Sequence, residues 1–255
     1  MTGMVVRALR FGSVAETYER FRPEYPSELA DLILTYAGRP VRTVLEIGAG
    51  TGKATRCFAR PGVTVTATDP DPAMLAELRK HVPADVRTVQ AAFEDLSLDS
   101  RHDLVFAGAA LHWTAPAGRW SRMADLVEPG GVFANFGGPV QLADPAVEAA
   151  VQAARAPFLD TDEILSPDGT PPEQPMQWPG TELQRSKWFH DVRQSLLPRR
   201  LTMTATDYVG YLSTVSAYLE LPEQPRQQVY DRILRALPPT VEIIADVIAH
   251  LARRR

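Results

Sequence analysis

The stretch Val44-Leu45-Glu46-Ile47-Gly48-Ala49-Gly50-Thr51-Gly52 constrains this chain more than any other. An apolar run closes on an acid and then on three glycines at alternate positions. A buried strand therefore has to end in a turn that leaves no room for side chains. A second run, Val63-Thr64-Val65-Thr66-Ala67-Thr68, follows and is closed by Asp69. Strand, glycine turn, helix, strand and terminal acid make half of a nucleoside-binding α/β fold. The dinucleotide fingerprint G-x-G-x-x-G is not met, because Lys53 stands where its third glycine belongs.

Glu46 narrows the choice of nucleoside. A carboxylate just before the loop repels a pyrophosphate but suits a ligand that carries an ammonium and a sulfonium. That ligand is S-adenosylmethionine (SAM), with S-adenosylhomocysteine as the product. Gly48, Ala49, Gly50 and Gly52 then allow the backbone to approach the methionyl part. Glu46 orients the loop and favours the ammonium, or it is a capping carboxylate. Asp69 ends its strand at the carboxyl edge, where open α/β sheets bind ligands, and can accept both ribose hydroxyls. Its alternative is helix capping together with Pro70. Asp71-Pro72 has the same look and sits closer to the helix, so Asp71 can cap and leave Asp69 free. Met74, on that helix, packs on adenine or fills the core.

Alternating elements carry the reading onward. Residues 13–37 read as two short helices, with Ser13 and Glu16 as a capping box and Gly38 as the stop. Strands are expected over 43–47, 63–68, 86–90, 103–108 and 131–136, and helices over 52–59, 72–80 and 116–127. Such alternation means a parallel sheet covered on both faces. Beyond it, 144–156 reads as a helix. Residues 166–180 hold five prolines and two glycines and read as a loop, of a length that is usually functional or disordered. A strand over about 191–203 follows, then a helix from Thr204 and Asp207 through Tyr218, a helix over 222–236 and a final strand from Val241 to Leu251.

At this point the chain resembles the class I SAM-dependent methyltransferases, and within them a small-molecule subgroup that includes trans-aconitate methyltransferase-like proteins. The resemblance rests on Phe21 to Pro26, Val44 to Gly52, Val65 to Met74, Ala92 to Leu96, Asp103 to Trp113 and Glu128 to Gly131, in family order. It implies a Rossmann-like seven-stranded, mostly parallel sheet with helices on both faces, an antiparallel edge and a helical cap. The chain divides accordingly into a single domain over 1–255. Residues 1–40 form an N-terminal cover, 41–136 the SAM-binding core, 137–220 a cap or substrate insert, and 221–255 a closing helix and strand. The resemblance also implies that Tyr18 and Arg22 cover the cofactor, Arg22 pairing with its carboxylate, unless Arg22 is an ordinary surface charge. Ala92, Phe93 and Glu94 border adenine, with Glu94 or Asp95 taking the exocyclic amine; Phe93 is otherwise core. Ala109 belongs to the same edge.

His112 is the one histidine placed at a ligand edge. It is the candidate general base or substrate donor, or else it holds the loop or packs on SAM. Trp113, Tyr25, Tyr208 and Tyr211 are candidate substrate-binding residues, although the tyrosine stripe on the later helix also reads as core. No Pro-Pro-aromatic turn follows the fourth strand, which counts against a DNA or RNA adenine substrate. The expected acceptor is a small molecule attacking through O, N or C. The alternatives are a SAM-binding protein without methyl transfer and, behind it, an NAD-dependent oxidoreductase.

Composition supports this reading. Across 255 residues, 45% are hydrophobic, enough for a full core, and the net charge of −4 argues against a nucleic-acid partner. A single cysteine, Cys57, excludes an internal disulfide. The scattered histidines show no metal-ligand spacing. No run approaches the ~20 residues of a membrane span, and residues 1–10 lack a signal-peptide core; a cytoplasmic protein is expected. Arg253-Arg254-Arg255 reads as a solvated tail.

Overall fold

The computed structural model describes residues 11–159, 166–171 and 173–255, and every structural statement concerns these. The readings for residues 1–10, for 160–165 of the insert and for Pro172 lie outside them. Strands β1 (Thr43–Ile47), β2 (Thr64–Asp69), β3 (Arg87–Gln90), β4 (His102–Gly108) and β5 (Val127–Gly137) build the parallel part of the main sheet. Three further strands follow: β6 (Gln141–Leu142), β7 (Phe189–Leu197) and β8 (Arg200–Thr204). β9 (Thr240–Ile244) and β10 (Val247–Arg254) complete the set. The main sheet has seven strands in the order β3-β2-β1-β4-β5-β10-β7, with β10 antiparallel to both β5 and β7.

The helices are α1 (Ala15–Phe21), α2 (Ser27–Ala37), α3 (Thr55–Phe58), α4 (Pro72–His81), α5 (Arg119–Leu126), α6 (Pro145–Arg155), α7 (Gly180–Arg185), α8 (Ala205–Leu212), α9 (Ser216–Leu219) and α10 (Glu223–Ala236). Strand side chains alternate between two covered faces. Val44, Leu104, Phe106 and Phe136 pack with Leu29, Ile33 and Phe58. Leu45, Ile47, Val105 and Phe133 pack with Met123, Leu126 and Phe189. Phe106 is fully buried, its ring 4.5 Å from that of Phe58; truncation there costs ~3–5 kcal/mol. The main sheet and its helices therefore hold the glycine loop on a rigid base.

A second body sits beside this sheet. β6, β9 and β8 form a three-stranded antiparallel sheet. Its core joins Leu142, Val151, Tyr208, Leu212, Tyr218, Ile233 and Ile243. The cap thus draws on the insert and on α10 and β9 nearer the end of the chain, while α7 and β7 of the insert serve the main sheet. None of the helices among the described residues is long and apolar enough to cross a membrane.

Several local expectations are corrected. The strand expected over 191–203 is two strands, β7 and β8, in different sheets, and Val241 to Leu251 is likewise β9 and β10. Thr204 does cap α8, accepting from the Asp207 amide, but that helix ends at Leu212 and Ser216–Leu219 is a separate turn. Ser13 lies in a 3-10 turn over Phe11–Val14, and the N-cap residue of α1 is Val14, without a side-chain cap bond. The proline-rich segment is, over its described residues, a loop as far as Pro179, as expected, and it is tethered to the fold. Asp168 accepts from Ser166, Thr170 and Thr181, and Trp178 packs on the Arg119 guanidinium. The arginines at the end are not a solvated tail. Arg253 donates to the carbonyls of Tyr36, Ala37 and Gly130, Arg254 to Val127 and Arg255 to Phe189.

Candidate functional site

A cleft of about 740 Å³, partly open to solvent, lies at the carboxyl edge of β1, β4 and β5. Its floor is Glu46, Gly48, Ala49, Gly50, Gly108 and Ala109. Tyr18, Arg22, Glu24 and Tyr25 wall it from the N-terminal side, and Gly137 to Val140, Arg199 and Asp246 from the other. The glycine loop has the conformation its sequence demands. Gly48 and Gly50 have φ of +66° and +55°, a region costly for residues with a Cβ. A Cβ on Gly48 would lie 2.5 Å from that of Ala110, whereas one on Gly50 would meet nothing within 4 Å. Gly50 thus presents bare backbone to open space. Ala109 is left-handed without being glycine, at φ +52°, and its N–H donates to the Phe136 carbonyl at 2.8 Å. Such strain is of order 1–3 kcal/mol and concentrates at functional edges.

Glu46 is 1% exposed and accepts from the Thr55 hydroxyl at 2.5 Å. Burial pushes its carboxyl up to about 8, with the Asp69 charge adding to the rise. It is therefore mostly protonated at neutral pH and primed to ionise when a cation arrives. Asp71 caps α4 through the Ala73 amide, as expected, but this does not leave Asp69 free. One Asp69 oxygen accepts from the Gly50 amide and the other from the Asp71 amide, both at 2.9 Å. Each oxygen keeps a second lone pair, so Asp69 ties the glycine loop to the tip of β2 and can still accept, although it stands behind the loop and outside the cleft lining. Burial raises its carboxyl to about 6 against those two amides.

The N-terminal segment is clamped over the loop. Lys53, read from sequence only as a missing glycine, donates to the Glu19 carbonyl at 2.7 Å and the Glu24 carboxylate at 2.8 Å. Arg56 joins the same two acids. Arg22 is no ordinary surface charge: its guanidinium lies against the rings of Tyr18 and Tyr211, 5.1 and 4.9 Å away. It donates to the Thr214 hydroxyl and carbonyl at 2.8 and 2.9 Å. It pairs with no carboxylate among the described residues. The Tyr25 ring sits edge-on to Phe136 at 5.0 Å, and burial pushes its phenol far above the ordinary range, so it stays a proton donor.

Other expected site residues stand away from the cleft lining. Met74 is buried on α4, and Phe93 is core beside Leu96 and Leu111. Ala92 precedes the 3-10 turn over Phe93–Asp95, Glu94 accepts from the Ala115 amide at 2.6 Å, and the Pro70 carbonyl accepts from Gln90. Gly52 faces Leu78. Tyr208 and Tyr211 belong to the core of the cap, so the substrate role expected for them is not supported by their placement. Trp113 packs on Phe11 at 5.9 Å, and Phe11 in turn on Tyr18. His112 lies against Trp113, 4.7 Å between ring centroids. Burial, with the Arg119 charge, lowers its imidazole to about 4. It is neutral at pH 7 but far weaker than the ordinary imidazole expected of a base, and it does not line the cleft. Arg199, Asp246 and the Gly137-Gly138 pair were missed from sequence. Only the paired glycines, close against Ala109 and Asp246, left a local signal.

Comparison with known proteins agrees with this geometry. Residues 45–135 match the model of a methyltransferase domain. An uncharacterized methyltransferase of Mycobacterium tuberculosis is 42% identical over 125 residues, 49% of this chain and 50% of that one. A trans-aconitate 2-methyltransferase of an Acidovorax species is 33% identical over 120 residues, 46% of each. The chain spans about half the length of these curated relatives. A proposed type II methyltransferase from Anaeromyxobacter dehalogenans shares the fold, with a TM-score of 0.60 at 24% identity over 92% of this chain and 97% of that one. Residues 45–135 thus resemble a methyltransferase domain, and the chain as a whole shares the fold of that solved methyltransferase. The seven-stranded order with its antiparallel β10 is a Rossmann-like methyltransferase fold.

Proposed function

We propose that this protein transfers the methyl group of SAM to a nucleophile on a small molecule. One observation carries the reading: Glu46, buried and mostly protonated, and Arg22, without a carboxylate partner, line one cleft around the bare backbone of Gly50. An acid and a guanidinium on either side of a glycine loop suit the ammonium and carboxylate of an amino acid. Asp69, tied to the same loop, suits a ribose. The relatives bearing methyltransferase names support the same reading. When bound, SAM supplies a methyl group on a sulfonium that leaves as a neutral thioether.

The chain's own residues bind and align. Glu46 gives up its proton and holds the ammonium; Arg22, braced by Thr214 and two tyrosines, holds the carboxylate. Tyr25 donates a hydrogen bond into the cleft. The segment from Tyr18 to Tyr25, clamped by Lys53 and Arg56, covers the glycine loop. Alignment of this kind is worth ~7–11 kcal/mol of barrier, and His112 is not needed as a base. An NAD-dependent oxidoreductase is disfavoured by the antiparallel β10 beside β5, which replaces the second parallel half of a dinucleotide fold. The test is incubation with methyl-labelled SAM and candidate small molecules: label appearing in a product supports the reading, and a protein that binds NADH and leaves SAM untouched overturns it.

A further inference from the structure

Arg22 lines the cleft but is held from outside it. Its Nε donates to the Thr214 hydroxyl at 2.8 Å and its Nη2 to the Thr214 carbonyl at 2.9 Å, across 192 positions of sequence. Thr214 is fully buried, lies between α8 and α9 of the cap and is not part of the cleft lining. Its hydroxyl donates to the Tyr211 carbonyl at 2.7 Å. With the proton committed there, the oxygen turns a lone pair to the Arg22 Nε.

This anchoring is one-sided. A guanidinium carries five N–H groups in a rigid plane. Thr214 takes Nε and one hydrogen of Nη2, and Nη1 has no hydrogen-bond partner among the described residues. The Nη1–Nη2 edge is left to a ligand, and it is an edge that matches the fork of a carboxylate. The rings of Tyr18 from the N-terminal cover and Tyr211 from the cap, 5.1 and 4.9 Å away, restrict the plane further. Phe21 closes the same junction. Its ring packs on the core of the cap and on the bare backbone of Gly210 in α8, where a Cβ would lie 2.6 Å from it. The cover therefore touches the cap through Phe21 and Arg22, while Lys53 and Arg56 hold its Glu19 and Glu24 on the side of the glycine loop.

We propose that Thr214 is a positioning residue for the carboxylate of the cofactor, and that through it the cap tightens on the cover when that carboxylate sits on Arg22. The ligand then fixes the guanidinium in the orientation Thr214 selects. Coupling of this kind is reciprocal. Whatever Thr214 adds to the hold on the carboxylate, the carboxylate returns as a firmer contact between cap and cover. A ligand with the same nucleoside and no carboxylate gains nothing from Thr214.

This inference rests on the SAM reading, so the experiment separates the two. S-adenosylhomocysteine and S-adenosyl-3-thiopropylamine, the same molecule without its carboxylate, are titrated by calorimetry into wild type, Thr214→Val, Thr214→Ser and Gly210→Ala. The last variant presses on the Phe21 ring from the side of the cap. Hydrogen exchange over residues 205–219 is followed with each ligand. Thr214→Val should lose ~10-fold in affinity for S-adenosylhomocysteine and stay within ~2-fold of wild type for the amine. Thr214→Ser should restore the preference, and Gly210→Ala should show the same selective loss. S-adenosylhomocysteine, and not the amine, should slow exchange over 205–219 in wild type, and this slowing should vanish in Thr214→Val. Equal loss of both ligands, loss of neither, or equal slowing by both overturns the proposal, as does a wild type that binds the two alike. Should Thr214→Val not fold, Gly210→Ala decides by the same comparison. A wild type that binds neither ligand overturns the SAM reading itself.

Discussion

Binding of SAM should release a proton from Glu46, and the amount follows from the structure. With its carboxyl raised to about 8 by burial, only ~1 in 11 molecules is ionised at pH 7. A ligand ammonium beside it returns the group to its ordinary range or below. Binding at pH 7 then releases ~0.9 proton and forfeits ~1.4 kcal/mol of affinity. Between pH 6 and 7.5 the forfeited factor falls from ~100 to ~4, so affinity should rise ~25-fold. The window stops there because an α-amino group titrates near ~7.7–8.0. Calorimetry in two buffers of different ionisation enthalpy counts the proton directly. Glu46→Gln should bind more weakly and show a flat profile in this window. The same shift has a stability consequence. A carboxyl whose folded pKa lies above its unfolded value stabilises below the unfolded pKa, and that contribution is lost as pH rises through about 8. The melting temperature of the ligand-free wild type should therefore fall relative to Glu46→Gln between pH 5 and pH 9. No proton release, together with an affinity that is constant from pH 6 to 7.5, would refute the reasoning.

Other outcomes follow from the same geometry. Asp69→Ala removes the acceptor of the Gly50 and Asp71 amides and of the ribose hydroxyls, and should weaken SAM ~10²-fold or more by calorimetry; unchanged affinity would remove Asp69 from the site. Gly50→Val places a branched side chain in the open cleft at φ +55°, so SAM binding should be lost while circular dichroism keeps the sheet signal, and normal binding by a folded variant would show that the loop is not the cradle. His112→Ala should change turnover less than threefold, with no kcat limb near pH 6.5, because its imidazole is depressed and outside the cleft lining; a 10²-fold loss at constant SAM affinity would restore it as the base.

The parallel half of the fold was legible because its strands are short apolar runs ending in Gly48, Asp69 or Ala109, and its helices carry Asp71-Pro72 as a start and Gly38 as a stop. The antiparallel half was not. At Leu197-Pro198-Arg199-Arg200 and at Ile244-Ala245-Asp246-Val247, β-forming residues stand on both sides of a change of sheet. Local propensity does not register such a change. Arg199 and Asp246 were overlooked for the same reason, since they lie at these two crossovers. Motif spacing brought Glu46, Gly50 and Asp69 to one loop, because their arrangement depends on local backbone. It did not show that His112 is desolvated beside Trp113, nor that Lys53 reaches Glu24, because both follow from packing between distant segments. Arg253 looked like a solvated charge, yet its guanidinium donates to the last carbonyls of α2.

The most direct test of the account is a crystal structure grown with S-adenosylhomocysteine. The account predicts its amino group on Glu46, its carboxylate on Arg22, its ribose hydroxyls on Asp69 and its backbone-facing edge along Gly48 to Gly50. Density for the ligand elsewhere, or an aminoacyl end that touches neither Glu46 nor Arg22, would contradict it.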